Sequence, residues 1–283
     1  MFDRMTEAGG CGSRRILWEN VAYLIAQKPW FGWGWGELDY AHYATLYPGA
    51  RFCDILDNAH NLPLHLAVEL GLPVAVAACI GAVWCVVHLA PWRESDQARQ
   101  MAWAVLAVIG LHSMVEYPLW YGPFQLAAGL AVGLLAVRRG APLAAHRFAF
   151  PTAVAVLFSC ELYAAWDYHR VSQIYLPPGQ RAMAYRDDTL AEIGHSWLFR
   201  NQAEFAELSI TPLTRANAVH VNALALRQLH YSPEPKVIEK LIESASLLGQ
   251  TDLALWHLAR YRAAFPQEFA AWSGRQGAAS RPP

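Results

Sequence analysis

The stretch Asp54 to Gly71 reads D-I-L-D-N-A-H-N-L-P-L-H-L-A-V-E-L-G and sets an Asp/Asn/His cluster directly ahead of an apolar segment that begins at Leu62. Ionisable groups at the lip of a membrane helix are costly to hold there and mark a functional site by default. A neutral imidazole at His60 suits deprotonation of a hydroxyl near neutral pH. Asp57 supplies a nearby carboxylate to hold the ring's tautomer, with Asp54, Asn58 and Asn61 completing the cluster. The plainer reading is that His60 caps the helix or sits in the interfacial layer. A metal centre is not expected, because His60 and His65 fall on different helical faces with no third ligand at zinc spacing.

Composition places this segment in a membrane protein. Of 283 residues, 55% are hydrophobic and 16% charged, whereas soluble chains average about 25% charged residues. The net charge of -1 gives no electrostatic reason to expect nucleic acid. The five cysteines do not read as a disulfide framework: Cys79, Cys85 and Cys160 lie in apolar runs, and only Cys11 and Cys53 are water-accessible by context. Met1 to Arg15 lacks the apolar core of a signal peptide.

Four spans are expected against a requirement of roughly 20 apolar residues: 62–89, interrupted by Gly71 and Pro73, then 101–115, 123–137 and 148–166. An aromatic interfacial turn, Glu116 to Pro123, separates the second and third, the alternative being a single long buried hairpin. The loops carrying Arg93 and Arg99, and Arg138, Arg139 and Arg147, are positive, while 116–123 has neither Lys nor Arg. The positive-inside rule then puts the first two loops in the cytoplasm and 116–123 outside, with 1–61 and the chain after Trp166 outside by alternation. Arg14, Arg15, Lys28 and Arg51 weigh against that for the N-terminal segment.

The resulting fold class is an all-α polytopic membrane bundle of about four spans. Its expected parts are a loop outside the cytoplasm with a short amphipathic helix (1–61), membrane helices (62–166), a soluble all-helical domain (167–272) and a disordered tail (273–283). In the soluble part, Ser232-Pro233 opens a helix through Leu248, and Thr251-Asp252 caps a second running to Phe265. The apolar stripes are Val237, Ile238, Leu241, Ile242 and Ala245, matched by Leu253, Leu255, Trp256, Ala259 and Tyr261. Such a pair resembles tetratricopeptide-like arrays, although no strict repeat is visible. An earlier pair is expected across 188–208 and 214–230.

Three further groups carry chemistry. Arg14, Arg15 and Arg51 suit phosphate or pyrophosphate, because guanidinium forks donate bidentately and stay charged; singly, each also reads as a solvated charge. The run Pro29-Trp30-Phe31-Gly32-Trp33-Gly34-Trp35-Gly36 is no helix interior and reads as a re-entrant or interfacial loop. Trp33 and Trp35 there are either sugar-stacking or membrane-anchoring rings. His65 with Glu69, and His112 with Glu116, are each four apart and share a helix face, as polar clamps or substrate contacts.

The run R-x-x-W (Arg15 to Trp18), then K-P-W-F-G-W-G-W-G, then D-N-A-H-N with H-N-x9-G from His60 to Gly71, resembles the O-antigen ligase superfamily of ligases, polymerases and bacterial protein O-oligosaccharyltransferases. L-P-L-H-L-A-V-E-L-G-L-P and E-Y-P-L-W-Y-G-P-F, with the helical C-terminal part, are most similar to the last branch. The resemblance implies a multi-pass inner-membrane glycosyltransferase with a periplasmic active face, requiring neither metal nor nucleotide-sugar cofactor. It implies an undecaprenyl-pyrophosphate-linked glycan as donor, and a protein hydroxyl (pilin-like or other) or lipid A core as acceptor. His60 corresponds to the family's essential histidine, Arg15 to a pyrophosphate-neutralising arginine and Tyr117 to a functional tyrosine. Arg14, Arg51, Asp57, Asn58, Asn61, Trp33 and Trp35 are the expected substrate-binding set.

Family members are longer and carry spans ahead of this loop, so the chain resembles the C-terminal half of such an enzyme. It is expected to need a missing N-terminal half for activity. The competing readings are an O-antigen polymerase, a ligase onto lipid A core, or a non-catalytic membrane scaffold whose helical pairs bind a partner. A transporter fits less well, since no inverted repeat is seen.

Overall fold

The computed structural model describes residues 10–136 and 149–279. The positive loop Arg138 to Arg147 used for orientation lies outside them, as do residues 1–9 and 280–283. The chain forms two compact units, Met1–Ala141 and Pro142–Pro283, and among the described residues every regular element is helical.

In the first unit, α1 (Arg14–Gln27) starts at Ser13, whose Oγ accepts the Ile16 N–H. Its Leu17, Val21 and Leu24 recur at helical spacing and bury against Leu38 and Ala41 of α2 (Leu38–Ala44), Leu56, Ala59, and Ala67 and Val68 of α3 (Leu62–Leu70). A disulfide joins Cys11, just ahead of α1, to Cys53 in the loop before α3. The two cysteines read as merely water-accessible are therefore a pair. Closing a loop with a sequence separation of 42 residues removes unfolded-state entropy equivalent to about 4 kcal/mol.

The expected first span is two helices. Gly71 stands between α3 and α4 (Leu72–Leu89) with φ +88, a conformation that favours glycine. The chain breaks there because another backbone lies against it: a Cβ on Gly71 would sit 2.3 Å from the Trp30 carbonyl oxygen, and one on Gly32 (φ +66) 2.2 Å from that of Glu69. Three backbone bonds cross the junction. Trp33 donates to Val68, Gly34 to Glu69 and Leu72 to Pro29, at 2.8 to 2.9 Å. The Gly/Trp run is thus clasped to the α3–α4 corner.

This clasp changes the membrane reading. α3 is a short helix packed in the first unit with its His65 and Glu69 buried, and the apolar, exposed stretch is Leu72–Arg93, with mean hydropathy 2.2. Among the described residues it is the one helical stretch long and apolar enough to cross a membrane. Next come α5 (Gln97–His112) and α6 (Gly122–Ala136), which pack together as a hairpin. α6 is apolar but shorter than a span. Asp96 caps α5, and Arg99 reaches Glu94 at 2.7 Å and the Leu134 and Leu135 carbonyls, a cation on the last turn of α6.

The second unit begins with α7 (Ala149–Ser172), which overruns its expected end at Trp166. Asp167, fully buried, accepts from Arg170, from Ser196 Oγ at 2.8 Å and from the Leu198 N–H. α8 (Thr189–Ile193), α9 (Arg200–Ile210), α10 (Ala218–Gln228), α11 (Pro235–Leu247), α12 (Thr251–Ala264) and α13 (Pro266–Ala279) complete the unit. α11 starts two residues later than Ser232-Pro233 suggested, with Glu234 as its cap residue and Pro235 in its first turn. It buries the expected stripe. α12 does not: its buried face is Ala254, His257, Tyr261 and Ala264, while Leu255 and Trp256 are exposed. The 3.6-residue period selects a face whose members are small or polar, and Trp256 instead lies under Arg260. Ser273, read as the start of a disordered tail, falls inside α13, where Trp272 is buried and its Nε1 donates to Glu243.

Gly71→Ala and Gly32→Ala should each destabilise the first unit by about 2 kcal/mol or more, since strained φ and backbone overlap add. Gly36→Ala, with positive φ but open space, should cost about 1 kcal/mol. Thermal unfolding in detergent checks the ranking; equal effects at Gly36 and Gly71 would refute the clasp.

Candidate functional site

α1 turns one face toward the loop that carries His60. Trp18 Nε1 donates to the Ala59 carbonyl at 3.1 Å, and Arg14, one turn earlier on that face, reaches Glu116. Arg15 lies about 100° further round the helix and pairs with Glu19 at 2.8 Å, its side chain 86% exposed. Helical phase therefore selects Arg14 where Arg15 was expected. Arg51 is also elsewhere: it donates to the Thr45 carbonyl and to His42 Nδ1 at 3.1 Å, and stacks over Tyr47. The arginine group is divided.

The D-N-A-H-N residues have separate tasks. Asn58, buried, accepts the His60 N–H at 2.9 Å through Oδ1. That local turn supports a left-handed backbone at His60, φ +49, of the kind found where a site holds strain. Asn61 caps α3 through Leu64 N–H and donates to the Met114 carbonyl at 2.9 Å. Beside it, the Leu62 N–H donates to Ser113 at 2.8 Å, so the start of α3 is joined to the end of α5.

That junction brings Glu116 to His60. Glu116 Oε2 lies 2.9 Å from His60 Nδ1, and Oε1 takes Arg14. Asp57 is exposed and does not occupy this place. The expected His112–Glu116 clamp is absent as a side-chain pair: His112 meets Phe124 edge-on while Glu116 turns to His60. The Tyr117 ring stands at 87° to the His60 ring, with centroids 4.9 Å apart. A hydrogen bond with Tyr121, then burial, pushes the Tyr117 hydroxyl up to about 12, so it stays a protonated donor. The His60 side chain is 29% exposed.

The remaining expected residues support this corner. Trp33 Nε1 donates to the Leu24 carbonyl at 3.0 Å, and Lys28 lies 4.0 Å over its ring, so Trp33 is a strut. Trp35 is 69% exposed, and Trp30 and Phe31, beside the start of α4, are exposed too. His65 pairs with Glu69 at 3.5 Å, as its spacing predicts, and both are buried here rather than facing lipid.

Sequence reasoning missed Asn20 and His42. Asn20 joins the Ala50 carbonyl, the Phe52 N–H and His42 Nε2, at 2.9 to 3.4 Å. No spacing links these positions; only the fold assembles them. Glu116 was visible as the neighbour of Tyr117, but its partner was not. No cluster of three metal-ligating side chains occurs among the described residues.

With this geometry in place, comparison defines the class. Residues 100–278 match the family described as virulence factor membrane-bound polymerase, C-terminal, and residues 1–79 match the O-antigen ligase family. The chain belongs to this superfamily of O-antigen ligases and membrane-bound polymerases, whose members are integral membrane proteins. Among curated proteins it is similar to the general O-oligosaccharyltransferase of Acinetobacter baylyi, 29% identical over 46% of this chain and 23% of the relative. It is also similar to the ComP-specific O-oligosaccharyltransferase of the same organism, 24% identical over 48% of this chain and 24% of the relative. The matched stretch thus spans about a quarter of each relative's length. No solved structure matches.

Burial, with Arg51 adding repulsion, lowers His42 to about 2, and burial lowers His65 to about 4. Below the ordinary value of 6.5 the unfolded chain takes up protons that the fold refuses, so these rings weaken the fold as pH falls from 6.5. Asp39, raised by burial to about 7, and Glu69, also raised by burial, act in the opposite direction. His42→Gln isolates the first effect: its melting temperature should fall less than wild type's between about pH 7 and about pH 5. Parallel curves would refute a neutral, buried His42.

Proposed function

We propose that this chain is the acceptor-activating part of a membrane glycosyltransferase that moves a glycan from undecaprenyl pyrophosphate to a hydroxyl, in the manner of a protein O-oligosaccharyltransferase. The observation that carries the reading is His60 on a strained, half-buried corner, flanked by Glu116 and Tyr117 with Arg14 on the same carboxylate. His60 Nε2 takes the acceptor's proton as its oxygen attacks the anomeric carbon. The bond from that carbon to the pyrophosphate breaks, and its electron pair leaves with the lipid-linked phosphate. Oxocarbenium character develops on the sugar, and Arg14 with the Tyr117 hydroxyl stabilises the departing charge. Arg15, exposed on the next helical face, is a second guanidinium for the donor.

The membrane arrangement belongs to the same proposal: α4 to α7 as four spans, an active face in the periplasm of the inner membrane, and the second unit as a tetratricopeptide-like periplasmic domain. The division into loop, membrane part and helical domain goes with it, with the loop part extended through α3, the membrane part beginning at Leu72 and the helical domain running through α13. The Cys11–Cys53 disulfide supports the orientation, since such bonds persist in oxidising compartments. Trp30, Phe31 and Trp35, exposed beside the start of α4, support an interfacial depth for that corner. A polymerase, or a ligase onto lipid A core, is the second reading, favoured by the family descriptions themselves.

The test is complementation of a strain deleted for its ligase, with this chain alone and fused to a homologous N-terminal half. Glycoprotein and lipopolysaccharide blots read the acceptor. Glycan on periplasmic protein is expected, and His60→Ala should reduce it by about 100-fold or more. Transfer unaffected by His60→Ala would leave the scaffold reading instead. Mass spectrometry of the same cells should find Cys11 bonded to Cys53; free thiols at both positions would refute a periplasmic loop.

A further inference from the structure

We infer that Glu116 is the positioning residue of this site: it holds the His60 ring with Nδ1 protonated and Nε2 free to accept, and Arg14 in turn holds Glu116. The inference rests on the transfer reading above and deepens it.

A carboxylate only accepts hydrogen bonds. With Glu116 Oε2 2.9 Å from His60 Nδ1, the hydrogen of a neutral ring must sit on Nδ1, which leaves the lone pair on Nε2. The second oxygen is taken by Arg14, so the carboxylate cannot rotate away without losing an ion pair. Neither partner is free to drift. The Glu116 N–H is bonded to the His112 carbonyl at 2.9 Å in the closing turn of α5, and the Ser113 hydroxyl and N–H both return to Ile109. On the other side the His60 N–H is held by Asn58.

Between them run the two ties from Leu62 to Ser113 and from Asn61 to Met114, two and one residues from His60 and three and two from Glu116. They fix the separation at which the imidazole meets the carboxylate. The charged and titratable groups around the ring are Arg14 from α1, Asp57 from its own loop, and Glu116, Tyr117 and Tyr121 from the segment after α5. Of these, Glu116 is the one hydrogen-bonded to the ring. The arrangement is a base with an orienting acid, in the sense that a third group fixes the tautomer a catalytic histidine needs. Glu116 neither gains nor loses a proton in the step; it steadies the imidazolium formed when Nε2 takes the hydroxyl proton.

The experiment uses the full chain fused to the homologous N-terminal half, with His60→Ala, Glu116→Ala and Glu116→Gln, an acceptor peptide and a lipid-linked glycan. Steady-state kinetics are read beside the nitrogen-15 shifts of labelled histidine and thermal unfolding. Glu116→Ala should lower kcat by about 100-fold with KM changed less than about threefold, and should move the His60 hydrogen from Nδ1 to Nε2. Glu116→Gln, whose amide oxygen still accepts, should keep the Nδ1 hydrogen and recover about tenfold of the lost rate. If Glu116→Ala unfolds, Glu116→Gln decides: a hydrogen moved to Nε2 with undiminished kcat overturns the inference. So does a folded Glu116→Ala with wild-type kcat and tautomer while His60→Ala is dead, and that result leaves the transfer reading standing. His60→Ala with full transfer overturns both.

Discussion

The site exists because two backbones meet without side chains between them. Gly32 and Gly71 each face a carbonyl of the other segment at a distance no Cβ tolerates, and three backbone hydrogen bonds cross the contact. The consequence runs in both directions along the chain. Upstream, the Gly/Trp loop is drawn under α3, with Trp33 tied to α1 through the Leu24 carbonyl. Downstream, the apolar run is cut at its ninth helical residue, so Leu62–Leu70 becomes a helix of the loop unit and only the stretch after Gly71 is left as a span. The H-N-x9-G spacing then has a physical meaning. It is the length of one short helix between the His60 corner and a glycine contact.

Buried polar groups hold this small unit in one arrangement. Asn20, His42 and Arg51 form a connected set, with His42 kept neutral by burial beside a cation. His65 and Glu69 form another, against the clasp. Groups of this kind are costly if left unpaired and specify geometry when paired. The disulfide acts on the same unit from outside, tying the start of α1, and so Arg14, to the loop that leads to His60. Arg14, His60 and Glu116 come from three segments far apart in sequence, and each is separately restrained before they touch.

The second unit is built differently. α10, α11 and α12 pack in sequence through apolar stripes, with Tyr261 and Trp272 buried while their polar atoms reach Glu239 and Glu243. Here local pattern is nearly sufficient, as the buried face of α11 illustrates. It fails in α12, because alanine, histidine and tyrosine carry the buried face and large apolar residues do not. Hydropathy ranks side chains one by one, whereas packing against α11 asks for small and shaped ones.

What the sequence alone determined was whatever local spacing encodes: the all-helical class, an apolar run within 62–89, and the helix-face pairing of His65 with Glu69. Its resemblance to the superfamily is carried by the same short motifs. Only tertiary structure decided which arginine faces His60, that Glu116 and not Asp57 meets its ring, that Cys11 meets Cys53, and that α3 leaves the membrane segment. Each of those is a contact between segments dozens of residues apart. Such contacts depend on helix phase and on where the backbone comes close enough to exclude a Cβ, and neither quantity is written in composition or periodicity.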